Sequence, residues 1–196
     1  MGFTKSEQLF LGVREAALND ILAAFYFERH RYFDFGSTLG PTTASHTFFP
    51  PINLFNTAIP WRIELTLPQL DIHPGSVALP PPLVLGPGQF SGTVGAKITA
   101  TAIPVSLTLQ LAFIGHTFQV GSGSSAVVKL AIDKVKLVIA GLQPPLSTFL
   151  EGILLVILNA ILANLSIPLS IFAFQPFQLV AGPIVGSDQI ELRGNL

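Results

Sequence analysis

Four histidines, His30, His46, His73 and His116, and eleven acidic residues are the groups in this chain able to hold a metal or move a proton. The histidines stand far apart, with no His-Glu-x-x-His or other close ligand spacing, so no metal site and no cofactor is read from them. His30 and Asp34 lie about one helical turn apart and could exchange a proton. With Arg29, Arg31 and Tyr32 around them they read better as a solvated helix end. Gly121-Ser122-Gly123-Ser124-Ser125 supplies hydroxyls but lacks the Gly-x-Ser-x-Gly register and the strand-turn-helix context of a nucleophile elbow, and reads as a turn. The absence of cysteine removes thiol catalysis, disulfides and cysteine metal sites. No phosphate-binding glycine loop is present. The expectation is a protein that is not an enzyme, with no catalytic residue.

The elements around these groups are unusually apolar. Of 196 residues, 49% are hydrophobic and 11% charged, against about 25% charged in ordinary soluble domains. Sixteen Phe against one Trp and two Tyr supply apolar area without polar handles. A net charge of −1 with no dense Lys/Arg run argues against nucleic acid as a partner and against strong electrostatic attachment to anionic membranes. The opening residues MGFTKSEQLF lack a basic region followed by an apolar core, so no signal peptide is read and the cytoplasm is the favoured compartment. The length suits one domain, residues 1–196.

Two helices are expected. The first starts at a capping box in Thr4-Lys5-Ser6-Glu7 and runs to near Arg29. Leu9, Phe10, Val13, Ala17, Ile21 and Ala24 form its apolar stripe, and Arg14, Glu15, Asp20 and Glu28 its wetter faces. The second spans Leu146–Ile167, an almost unbroken apolar run preceded by Pro144-Pro145 and stopped by Pro168. Ser147, Glu151, Asn159 and Asn164 do not gather on one face, so this helix is expected to be buried on more than one side.

Between the helices lie period-two strands: Trp61 to Leu67, Phe90 to Ala102, Val105 to Phe113 and Val128 to Ile132. The apolar phase switches after Pro68, after Ile114-Gly115 and after Asp133. Each switch predicts a β-bulge, and bulges curve a sheet. A short strand is expected within Ile52–Ile59, an apolar segment over Leu169–Phe177, and a last strand near Ile184–Leu192 with a turn at Gly186-Ser187-Asp188. The fold class is α+β: a long, highly curved antiparallel sheet wrapped around a long apolar C-terminal helix, with an amphipathic N-terminal helix.

The N-terminal helix, the alternating strands from Trp61 to Ile139 and the run LEGILLVILNAILANLSIPLSIFAF leading into final strands resemble the tubular lipid-binding superfamily, which includes the bactericidal/permeability-increasing, SMP, takeout and P47-like proteins. The resemblance rests on architecture over most of the chain. It implies non-covalent binding or transfer of lipid acyl chains in an apolar tube. Residues expected to line such a tube are Phe90, Val94 and Ile98, then Leu107, Leu109 and Leu111, then Ile153, Ile157 and Ile161, and finally Phe172 and Phe174. The expected partner is a lipid or other hydrophobic ligand, with transient membrane contact. Two alternatives stay open: an interaction protein that buries its apolar surface in a homodimer or against another protein, and a membrane protein anchored by residues 146–167.

Overall fold

The computed structural model describes residues 9–37, 51–54, 56–73, 78–100, 105–121, 125–138, 146–168, 178–186 and 188–195. In chain order the elements are β1 (Leu9–Arg14), α1 (Glu15–Glu28), a 3-10 turn (His30–Phe33), β2 (Asp34–Gly36), β3 (Ile52–Leu54), β4 (Thr57–Ile59), β5 (Trp61–Leu65), β6 (Gln69–Asp71), β7 (Gln89–Ala100), β8 (Val105–Val120), β9 (Val127–Leu137), α2 (Leu146–Ala163), β10 (Ile167–Pro168), β11 (Gln178–Val185) and β12 (Gln189–Asn195). The main sheet has the order β10-β9-β8-β7-β5-β2, with β6 also on β7, and every pairing is antiparallel. It curves into a half-barrel, and with the two helices the class is α+β. A second sheet has the order β1-β12-β11, and β3 and β4 form a separate hairpin.

Alternation makes β5, β7, β8 and β9 strands, because one side of each must leave water. Trp61, Ile63 and Leu65, with Phe90, Val94 and Ala96, and Leu109, Leu111 and Phe113, sit together in one buried cluster. The tightest point uses two glycines. Phe90 lies opposite Gly115 and Gly92 opposite Phe113 across β7 and β8, so each ring covers the bare backbone of its partner. A Cβ on Gly115 would stand 2.7 Å from Phe90 Cζ, and one on Gly92 would overlap the Phe113 ring. Pairing an aromatic with a glycine lets the rings pack flat against the pleat.

Two of the three expected bulges are present. Leu65 faces Ala96 and Gln69 faces Thr93, so residues 66–68 lie opposite only 94–95. On β9, Ile114 faces Lys134 and Gly115 faces Ile132, leaving Asp133 as the extra residue. The switch within β8 has a different cause. Its register with β7 runs unbroken from Ser106 to His116, so Phe118 and Val120 pass to the outer face, where they are exposed. That outer face is partly covered as well, since Leu83 packs on Ala112 and Ile114.

The N-terminal region departs from expectation. Residues 9–14 form a strand, not the first turns of a helix, pairing Leu11 with Leu192 and Val13 with Ile190. The same residues carry an i, i+2 apolar pattern, and the backbone partners offered by β12 decide in its favour. The capping box at residues 4–7 lies outside the described residues. The Ile52–Ile59 region is a hairpin, not one strand, turning at Asn56 with φ 63. Asparagine is among the few residues that accept that conformation. The last strands are the pair β11 and β12, joined through residues 186–188 as expected. The segment Leu169–Phe177 lies outside the described residues.

Both helices are fastened to open sheet edges by an acid and an amide. On α1, Asn19 accepts from Leu70 N–H at 2.8 Å and donates to Leu70 C=O at 2.9 Å, while Glu15 accepts from Ile72 N–H at 2.8 Å. On α2, Asn159 accepts from Ile132 N–H at 2.8 Å and donates to Ile132 C=O at 2.9 Å, and Glu151 accepts from Leu137 N–H at 3.2 Å. Each carboxamide thus supplies the hydrogen bonds that a neighbouring strand residue would supply. Glu15 therefore belongs to a packed contact and not to the wet face expected for it. An open edge left with bare N–H and C=O groups would invite further pairing.

This fastening corrects the expectation for α2. The helix stops at Ala163, and among the described residues three strands follow it. It runs along the edge of β9, with Glu151 and Asn159 turned to that edge. Leu150, Leu154, Ile157, Leu158, Ile161 and Leu162 face the core. Phe149, Gly152, Val156, Ala160 and Ala163 face outward, with Phe149 at 49% and Val156 at 59% exposure. The helix is buried on one side only. Among the described residues no helix is long and apolar enough to cross a membrane.

Candidate binding site

Where α1 crosses the end of the sheet beneath the α2–β10 connection, an apolar pocket of about 120 Å³ opens. Its walls are Leu18, Ile21 and Leu22 from α1, Val128 and Leu130 from β9, and Leu165, Ser166, Ile167 and Pro168 from the connection and β10. Local sequence explains the connection. Asn164 ends α2 by donating its side-chain amide to Ala160 C=O at 2.8 Å, and Leu165 N–H bonds back to Leu162 C=O. The chain then pairs Ile167 with Val128 and Pro168 with Val127. Proline is tolerated at such a sheet edge because the missing N–H need not enter the ladder. Leu18 and Leu22 are buried, Leu165 and Ile167 half-buried, and Ile21 exposed at the rim.

Walls that are apolar but for Ser166 suit a hydrophobic group. A dry cavity of about 150 Å³ accepts a benzene-sized molecule, so this one takes the last three or four carbons of a chain.

The residues expected to line a tube fall elsewhere. Phe90, Val94, Leu109, Leu111, Ile157 and Ile161 are brought together in the main cluster, where they are buried against one another. Ile98, Leu107 and Ile153 pack half-buried at its margin. Phe172 and Phe174 lie outside the described residues. The pocket's inner wall, Leu18, Leu22 and Leu130, belongs to that same cluster. The pocket is therefore an outward extension of the core. Sequence reasoning did not assemble it, because it depends on α1 meeting β9, and the only local hint is Ile167-Pro168 at the end of the second helix.

Polar groups gather on the outer face. His116 Nδ1 donates to Asp133 Oδ1 at 2.7 Å, Gln89 Nε2 donates to Asp133 Oδ2 at 2.8 Å, and Gly86 N–H donates to Gln89 Oε1 at 2.8 Å. The bulge at Asp133 aims its carboxylate into this chain of bonds, which ties residues 86–89 to β8 and β9. Among the described residues no serine or threonine hydroxyl is bonded within it. A second group lies near β2 and β5. Arg62 makes a bidentate bond to the buried Asp34 at 2.7 and 2.5 Å, which raises its pKa further, chiefly through that hydrogen bond. His30 lies 3.9 Å from Glu64, and burial, with Glu64 as a smaller cause, pushes the Tyr26 phenol upward.

Among the described residues no cluster of three or more His, Asp or Glu could hold a metal ion. An open cleft of about 510 Å³ on the outer face is lined by Thr66, Leu67, Thr93, Val94, Gly95, Thr108, Leu109, Gln110 and Val138, without a charged or aromatic side chain. Neither a protein-family model nor a curated protein matches the chain.

Proposed function

We propose that the protein binds a lipid acyl chain or similar hydrophobic ligand non-covalently, taking the chain end into the pocket between α1, β9 and β10. The observation that carries this reading is the pocket itself, which is apolar except for Ser166 and continuous with the core. The binding is physical, with no bond made or broken. Three to four buried methylenes at ~0.8 kcal/mol each contribute about 3 kcal/mol, roughly a hundredfold preference over water. Such a pocket grips a chain end and selects by its shape, while the rest of the ligand lies outside. A strongly curved antiparallel half-barrel sheet with two helices that pack into its core cluster also supports a tubular lipid-binding relationship.

Native mass spectrometry of protein purified without detergent tests the reading, with oleate and phosphatidylcholine as added probes. A lipid adduct at fixed stoichiometry, lost in Leu165→Trp while the fold is retained, is the expected result. Loss in Ile157→Trp with retention in Leu165→Trp would move the ligand into the space between sheet and α2. No adduct in any form overturns ligand binding altogether.

A further inference from the structure

Helix α2 buries Leu150, Leu154, Ile157, Leu158, Ile161 and Leu162 against the core, yet its outward side is apolar too, where an ordinary surface helix carries charged residues. Its outward arc holds Thr148, Phe149, Gly152, Val156, Ala160 and Ala163, with no charge. Glu151 turns away from this arc to Leu137 N–H and to Lys136 at 2.9 Å. Alongside runs β9 with three lysines. Lys136 stands by the first turns of α2, Lys134 is exposed, and Lys129 reaches the Ala163 carbonyl at the far end at 3.4 Å. Asp133, the acid between them, is held by His116 and Gln89.

We propose that the outward arc of α2, with Lys129 and Lys134 beside it, docks on an anionic phospholipid bilayer. The dimensions favour a bilayer over a second copy. Eighteen helical residues make a strip about 27 Å long and ~10 Å wide, a few hundred Å², whereas a stable dimer buries about 800 Å² on each partner. A bilayer sets no such minimum, because a helix lying in the interface is held by its apolar arc sinking to the headgroup boundary and by flanking cations meeting anionic lipid. The arc leads directly into Leu165–Pro168, the wall of the pocket, so docking would bring the pocket mouth to a phase rich in acyl chains. The docking face stands on its own observations, and vesicle binding is measured separately from ligand occupancy.

The test is co-sedimentation of the full chain with phosphatidylcholine vesicles and with vesicles in which a third of the lipid is phosphatidylserine. Binding to the phosphatidylserine vesicles that weakens with added salt is expected, and Lys134→Gln should weaken it roughly fivefold, a lysine near such a surface being worth ~1 kcal/mol. Val156→Glu should weaken it at least tenfold. Val156 is exposed, so the fold should survive, and circular dichroism checks that it does. The proposal is overturned if neither vesicle binds, if both bind equally without salt dependence, if Val156→Glu binds like the parent, or if light scattering shows a dimer that Val156→Glu dissolves.

Discussion

Replacing Asn159 by leucine should destabilise the protein by roughly 2–4 kcal/mol. Asn159 takes both the N–H and the C=O of Ile132 at 2.8 and 2.9 Å. Leucine keeps the side-chain volume and the helix propensity but removes both partners at an edge that α2 covers. Each orphaned backbone group costs about 1–3 kcal/mol, partly offset by the added apolar burial. For a domain of 196 residues, 1 kcal/mol moves the midpoint by about 2–4 °C, so Tm should fall by roughly 5–15 °C. Urea unfolding followed by circular dichroism gives the free energy. Asn164→Leu is the control, because that exposed asparagine bonds only to the Ala160 carbonyl of its own helix, and it should cost under about 1 kcal/mol. Asn159→Asp adds a signed test. Its ionised carboxylate still accepts from Ile132 N–H but repels the Ile132 carbonyl, and only the protonated acid restores the donor. The folded state then favours the proton, so the stability of Asn159→Asp relative to the parent should rise as pH falls through the carboxyl's range. Equal stability of Asn159→Leu and Asn164→Leu would refute the edge-fastening argument.

Three further outcomes can be measured. Gly115→Ala should cost about 1–3 kcal/mol by chemical denaturation, since a methyl there meets Phe90 Cζ at 2.7 Å as well as the Ala131 carbonyl. The raised Tyr26 phenol makes a stabilising contribution that is complete below the unfolded tyrosine value and is lost as pH climbs through the folded one. Tyr26→Phe should remove that alkaline loss, and Glu64→Gln should bring the ultraviolet titration of Tyr26 only part of the way back, because burial is the larger cause. Gln89→Ala should speed hydrogen exchange at the Gly86 amide, which bonds to the Gln89 side chain, while leaving exchange at Leu111 in the centre of β8 unchanged.

What could be read from residues was the period of each strand and the bulges where Pro68 and Asp133 shift the apolar phase. The same reasoning failed on β8 because a phase change has two physical causes, an inserted residue or a change in which face is covered. Phe118 and Val120 belong to the second. At residues 9–14 helical and strand patterns coexist, and the deciding partner, β12, is nearly the whole chain away. The polar residues of α2 looked scattered because Glu151 and Asn159 answer to backbone groups at Leu137 and Ile132, and no side-chain period encodes that. The pocket stayed hidden for the same reason. It forms where α1 meets β9, a contact between segments about a hundred residues apart with no common local signature.

The two fastenings also permit a test of how the curvature is held. Asn19 clasps β6 and Asn159 clasps β9, and the two edges are separated by β7 and β8. At ~4.8 Å per strand the clasped edges lie about 14 Å apart, a separation at which independent substitutions add within about 0.5 kcal/mol. Asn19→Leu and Asn159→Leu should therefore destabilise the ligand-free protein additively. The helices nevertheless meet through the pocket, where Leu18 and Leu22 of α1 face Leu165 beyond α2. A hydrophobic ligand seated there touches both clasped elements, so loosening either should weaken its binding and the ligand should raise the stability of the parent more than that of either variant. A double-mutant cycle run with and without oleate reads this directly. Strong coupling without ligand would mean that the half-barrel is a single cooperative spring and not a sheet held at two independent edges.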